Sequence, residues 1–108
     1  MQRHSISYYL PVLNPDTLAM VGHLVDISQI GLLLDCATEL VDGKEYHLLI
    51  ETPAGVSGQA SITFQARVKW CRMDRIQPNT YNVGFEITSI APSNVAIIQS
   101  IADLYGAH

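Results

Sequence analysis

Ile62-Thr63-Phe64-Gln65-Ala66-Arg67-Val68-Lys69-Trp70-Cys71 is the stretch that decides the fold class. Ile62, Phe64, Ala66, Val68 and Trp70 alternate with Thr63, Gln65, Arg67, Lys69 and Cys71, at the period of two that sends successive side chains to opposite faces of a sheet. One face of such a strand is core and the other is wet, and parity groups Trp70 with Phe64 and Val68 inside. On either side, Asn14-Pro15-Asp16, Asp42-Gly43, Pro53-Ala54-Gly55 and Gln77-Pro78-Asn79 divide segments rich in Val, Ile, Leu, Tyr and Thr. Further strands are predicted near residues 7–13, 17–26, 32–36, 45–51 and 79–89, with Asn14-Pro15-Asp16 turning the first into the second. Six strands in 108 residues point to a small all-β barrel.

Beyond residue 90 the period changes. Val95, Ile98, Ala102 and Tyr105, flanked by Ile97, Ile101 and Leu104, recur at three- and four-residue spacing, which predicts an amphipathic helix over residues 92–105 packed on the barrel. Ala91 takes the N-cap position, Pro92 suits the first turn because its missing donor is not needed there, and Gly106 ends the helix.

Residues 1–108 read as a single domain, with no internal repeat, low-complexity tract or linker. Six Lys and Arg against ten Asp and Glu leave a net charge of −4, which argues against a protein that coats DNA, RNA or an acidic membrane. The apolar content is 48%, above that of a disordered chain, yet no apolar run reaches the roughly 18 residues of a membrane span. The start, MQRHSISYYLPV, lacks the pattern of a secretory signal, so a cytoplasmic location is expected, with Cys36 and Cys71 as reduced thiols.

Catalytic groupings are missing: there is no Gly-rich phosphate loop, and neither His-Glu-x-x-His nor paired-Cys metal spacing. His4, His23, His47 and His108 are scattered, and His23 falls in a predicted strand, where a structural histidine is the commoner case. No enzyme, metal site or cofactor is expected. Arg67, Lys69, Arg72 and Arg75 lie close together, either as the solvated outer face of a strand or as a local ligand patch.

The segment Leu24-Val25-Asp26-Ile27-Ser28-Gln29-Ile30-Gly31-Leu32-Leu33-Leu34 places a polar turn between two apolar strand halves. Asp26 and Ser28 share parity and can point to one side, where a carboxylate accepts two N–H donors at once, as on a guanine edge. Gly31 lets backbone come close. A plain Asx- or ST-turn closing a hairpin is the commoner use of such residues.

Asp26-Ile27-Ser28-Gln29-Ile30-Gly31 resembles the (Asp/Asn)-x-Ser-x-x-Gly motif of the PilZ domain, the bacterial receptor module for cyclic di-GMP. Tyr8-Tyr9-Leu10-Pro11-Val12, Val68-Lys69-Trp70-Cys71-Arg72, Tyr81-Asn82-Val83-Gly84-Phe85 and the terminal helix agree with that family too, so the resemblance covers nearly the whole chain. It implies a six-stranded antiparallel barrel with a C-terminal helix, and an aromatic residue, here Trp70, near the ligand. The other half of the family's site is an Arg-x-x-x-Arg motif, matched here by Arg3-His4-Ser5-Ile6-Ser7, in which Arg3 is retained and Ser7 replaces the second arginine. Arginine pairs with phosphate through its planar fork and stacks on guanine, neither of which serine can do. A protonated His4 is a partial substitute.

The resemblance therefore implies a cyclic di-GMP receptor that signals through a protein partner in bacterial second-messenger regulation, with Arg3, Asp26, Ser28 and Gly31 as ligand-binding residues and His4, Ser7 and Trp70 as further candidates. The alternative is a PilZ-like protein-interaction module that has lost the ligand. Residues 1–7, polar and without apolar period, are expected to form an arm that is flexible until ligand orders it.

Overall fold

The computed structural model describes residues 10–53 and 58–105. Strands β1 (Leu10–Leu13), β2 (Met20–Ile27), β3 (Gly31–Cys36), β4 (Glu45–Glu51), β5 (Ser61–Met73) and β6 (Tyr81–Ser89) precede one helix, α1 (Pro92–Tyr105). Neighbouring strands run antiparallel in the order β1-β2-β3-β6-β5-β4, and β1 pairs with β4 to close the barrel. The architecture expected from periodicity is the one found. The arm of residues 1–7, the start of the first predicted strand and Gly106 lie outside the described residues.

Two strand boundaries move for local reasons. Asn14 Oδ1 accepts the Asp16 and Thr17 N–H groups at 2.8 and 3.3 Å, and the Asn14 carbonyl accepts the Leu18 N–H at 2.7 Å, so the turn runs on and β2 begins only at Met20. At the β5–β6 hairpin, Asp74 Oδ1 accepts the N–H groups of Ile76 and Gln77 at 2.9 and 2.8 Å. The turn thus extends to Thr80 and β6 starts at Tyr81. The Gln77 and Ile76 amides, with the Asn82 side chain, hold the Asp74 carboxyl below its usual range.

Inward residues of all six strands, among them Val12, Leu34, Leu48, Ile50, Ile62 and Val83, form one apolar cluster with Ile97, Ile98 and Ile101 of α1. Each fully buried side chain of this kind contributes about 1.5–3 kcal/mol relative to exposure. The helix follows Ala91, whose carbonyl accepts the Asn94 N–H at 2.8 Å. It covers the barrel end where β2 turns into β3, for Gln29 Nε2 donates to Gln99 Oε1 at 2.9 Å. No helix among the described residues is long and apolar enough to cross a membrane.

Trp70 is the exception to the inward set. Ile62, Phe64 and Val68 are buried as their alternation requires, whereas Trp70 is only half-buried and stands outside the core cluster. Its parity is broken one residue earlier: Val68 pairs with Phe85 and Trp70 with Gly84, so Lys69 is an extra residue in β5. A bulge of this kind sets two residues against one and reverses the facing of everything beyond it.

Ile98→Ala, at a position with 0% exposure, is expected to cost about 2–5 kcal/mol in denaturant unfolding. Leu104→Ala, 63% exposed on the same helix, should stay within about 0.5 kcal/mol of the wild type.

Candidate functional site

A second bulge lies two strands away from the first one's partner. In β2, Leu24 pairs with Leu34 and Asp26 with Leu33, leaving Val25 as the extra residue. Strict alternation from Gly22 and Leu24, both buried, would aim Asp26 into the core. With Val25 inserted, Ile27 is buried instead and Asp26 faces outward. Register then carries one row across four strands, from Asp26 on β2 to Leu33 on β3, Gly84 on β6 and Trp70 on β5.

Along this row runs an open groove of about 370 Å³, within the approximate range of small-ligand sites, bounded by Asp26 and Ser28 on one side and Lys69 and Trp70 on the other. Gly31, Leu33, Gly84 and Glu86 also line it. The Trp70 indole lies directly on Gly84, where an added Cβ would sit 2.5 Å from the ring. Above the same ring the Arg72 guanidinium stacks at 4.9 Å from its centroid. Arg67 is engaged differently, donating to Glu86 Oε1 at 3.3 Å. The basic residues of β5 thus divide by function of position rather than forming one patch: Arg67 is paired, Arg72 is stacked, and Lys69 lines the groove.

The turn between β2 and β3 brings the motif residues together. Asp26 Oδ1 accepts the Ile27 N–H at 2.9 Å, and the other carboxylate oxygen takes no hydrogen bond among the described residues. Ser28 N–H donates to the Gly31 carbonyl at 2.8 Å. Its hydroxyl accepts the Ile30 N–H at 3.3 Å and donates to the Gly31 carbonyl at 3.4 Å. Ser28 therefore closes an ST-turn, as its sequence context favours, while also lining the groove. Gly31 has a structural cause of its own, since a Cβ there would collide with the Phe85 carbonyl oxygen across the β3–β6 pair.

Arg3, His4 and Ser7 lie outside the described residues. The chain does enter the barrel near the groove, because Leu10 pairs with Leu24, two positions before Asp26. Of the other reactive groups, His23 pairs across β2–β3 with Asp35, away from the row of Asp26. Burial pushes the Cys36 thiol up to about 12, with Cys71 and Asp35 adding to the effect, so it is protonated at neutral pH and no nucleophile. Among the described residues no group of His, Cys, Asp and Glu is placed to hold a metal ion.

Sequence reasoning left Leu33, Gly84 and Glu86 out of the site, and offered Lys69 only as one of four basic residues in a candidate ligand patch. Gly84 carried the available signal, since a glycine within a strand marks a bulge or a close approach.

Over residues 2–103 the sequence matches the PilZ domain family. The fold is similar to that in the structure of the Bacillus subtilis inhibitor of motility (MotI/DgrA), with a TM-score of 0.70 and 20% sequence identity. That likeness covers 96% of this chain and 51% of the other, so this chain spans about half the length of its structural relative. No curated protein matches the sequence.

Because Trp70 is the chain's single tryptophan, its placement can be read by fluorescence. Acrylamide should quench it to a degree between free tryptophan and a core residue. Gly84→Ala should lift the ring, shift emission to the red and increase quenching; emission unchanged by Gly84→Ala would contradict the contact.

Proposed function

Since this chain belongs to the PilZ domain family, which matches residues 2–103, we propose that it is a receptor for cyclic di-GMP that signals through contact with a protein partner. The observation that carries the reading is the convergence of Asp26, Ser28 and Gly31 with Trp70 on one groove. A guanine presents adjacent N–H donors along one edge, and a carboxylate with an uncommitted oxygen is suited to accept them. Ser28 adds a hydroxyl whose bonds within the turn, at 3.3 and 3.4 Å, are long enough to be exchanged for a ligand contact. The Trp70 ring lies on Gly84 and under the Arg72 guanidinium, so a base stacks on it by displacing Arg72, and base stacking of that kind contributes about 1–3 kcal/mol.

Arg3 completes the site from the arm, by phosphate pairing or by stacking on a base. It lies seven positions before Leu10, an extended reach of at most roughly 25 Å, and Leu10 lies beside the strand that carries Asp26. The function is binding rather than catalysis, and a cytoplasmic location goes with it. The net charge of −4 speaks against DNA or RNA as the partner. The name of the structural relative, inhibitor of motility, makes control of motility the first output to assay.

A second reading, an interaction module without the ligand, is favoured by Ser7 in place of the arginine and by the engagement of Ser28 in its own turn. Calorimetric titration with cyclic di-GMP, with GTP and cyclic AMP as controls, separates the two. Under the receptor reading, Asp26→Ala abolishes selectivity for guanine, and Arg3→Ala chiefly weakens binding and flattens its salt dependence. Ser7→Arg restores the family pattern and should raise affinity by about one to two decades. Silence toward cyclic di-GMP in both the wild type and Ser7→Arg would leave the interaction module.

A further inference from the structure

We propose that Lys69 is a phosphate-binding residue of the groove, supplying from β5 the positive charge that Ser7 does not supply from the arm. The inference rests on the cyclic di-GMP reading and adds a residue that neither motif of the family contains.

Three observations support it. The first is placement: Lys69 is the extra residue of the β5 bulge, so it and Trp70 both stand opposite Gly84, and both line the groove. An unbulged strand would alternate the two residues between faces. The second is availability. Arg67 is held by Glu86, Arg72 by the Trp70 ring and Lys44 by the Tyr46 ring, whereas Lys69 has no acidic or aromatic partner among the described residues. Nothing need be broken for its ammonium to meet an anion, and its flexible stem lets the charge follow a phosphate.

The third observation is the charge pattern across the groove. Its lining carries Asp26, Glu86 and Lys69, and the Glu86 charge is offset by Arg67 at 3.3 Å. Lys69 is thus the only cation lining the groove among the described residues. Asp26 and the β5 bulge are separated by β3 and β6, about 14 Å along the sheet at the usual strand spacing. A ligand with a guanine at the Asp26 side can therefore keep its phosphates away from that carboxylate and beside Lys69. A base reader and a phosphate anchor at opposite sides suit a molecule with both groups joined in one ring.

An exposed lysine on an outer strand face can also be solvated and idle, and the test distinguishes the two roles. The full chain is titrated calorimetrically with cyclic di-GMP over a series of KCl concentrations as wild type, Lys69→Gln and Lys69→Arg. Lys69→Gln is expected to bind about tenfold more weakly and with a shallower salt dependence, while Lys69→Arg stays near wild type. Preference for cyclic di-GMP over cyclic di-AMP should survive in Lys69→Gln, because Asp26 still reads the base. Equal affinity and equal salt dependence in wild type and Lys69→Gln would overturn the assignment of Lys69 and leave the receptor reading standing. A wild type that binds no cyclic di-GMP at any salt concentration would overturn the assignment of Lys69, and a Ser7→Arg variant equally silent would overturn the receptor reading with it.

Discussion

Strict alternation along β2 and β5 would drive Asp26 and Trp70 into the barrel, and the extra residues Val25 and Lys69 prevent it. An unpaired carboxylate among Leu34, Leu48 and Ile50 would cost several kcal/mol, so the first bulge is a condition of having a stable core as well as an outward acid. Both bulges also restore burial beyond themselves. Ile27 is buried after the first, and Cys71 packs against the core after the second. Because the two irregularities lie in one cross-strand row, the residues they release meet on one face, over Leu33 and the bare backbone of Gly84.

The groove is tied to the rest of the molecule at its β2–β3 end. Ser28 and Gly31 hold the turn by their own hydrogen bonds, the Ile30 carbonyl accepts the Ile87 N–H at 2.9 Å, and Gln29 reaches Gln99 on α1. Gln99 in turn donates to Asp103 Oδ1 at 3.0 Å, one helical turn further on. The turn that carries the ligand motif thus has a polar connection to the helix that seals the barrel, while the floor at Gly84 and Trp70 rests on rigid strand pairing.

The architecture was legible because burial in most of the barrel follows parity: Ile62, Phe64, Ala66 and Val68 are inside as their spacing says. Periodicity fails where a bulge intervenes, since Val68-Lys69-Trp70 reads as continuous alternation whether or not Lys69 has a partner across the sheet. That is why parity put Trp70 in the core while resemblance to the family put an aromatic near the ligand. Asp26, Ser28 and Gly31 were legible as a motif, but their local physics was not: Gly31 is required by the Phe85 carbonyl and Ser28 by its turn. Lys69 was legible only as one of four clustered cations, because a lysine on a wet strand face looks the same whether it faces open water or a groove.

Amide and indole chemical shifts followed by NMR during addition of cyclic di-GMP test the two-bulge face most directly. Large shifts are predicted for Asp26, Ser28 and Gly31, for Lys69 and the Trp70 indole N–H, and for Gly84, with little change along β4, none of whose residues lines the groove. Shifts confined to β4, or a Trp70 indole that does not move while ligand binds, would contradict a site built on that row.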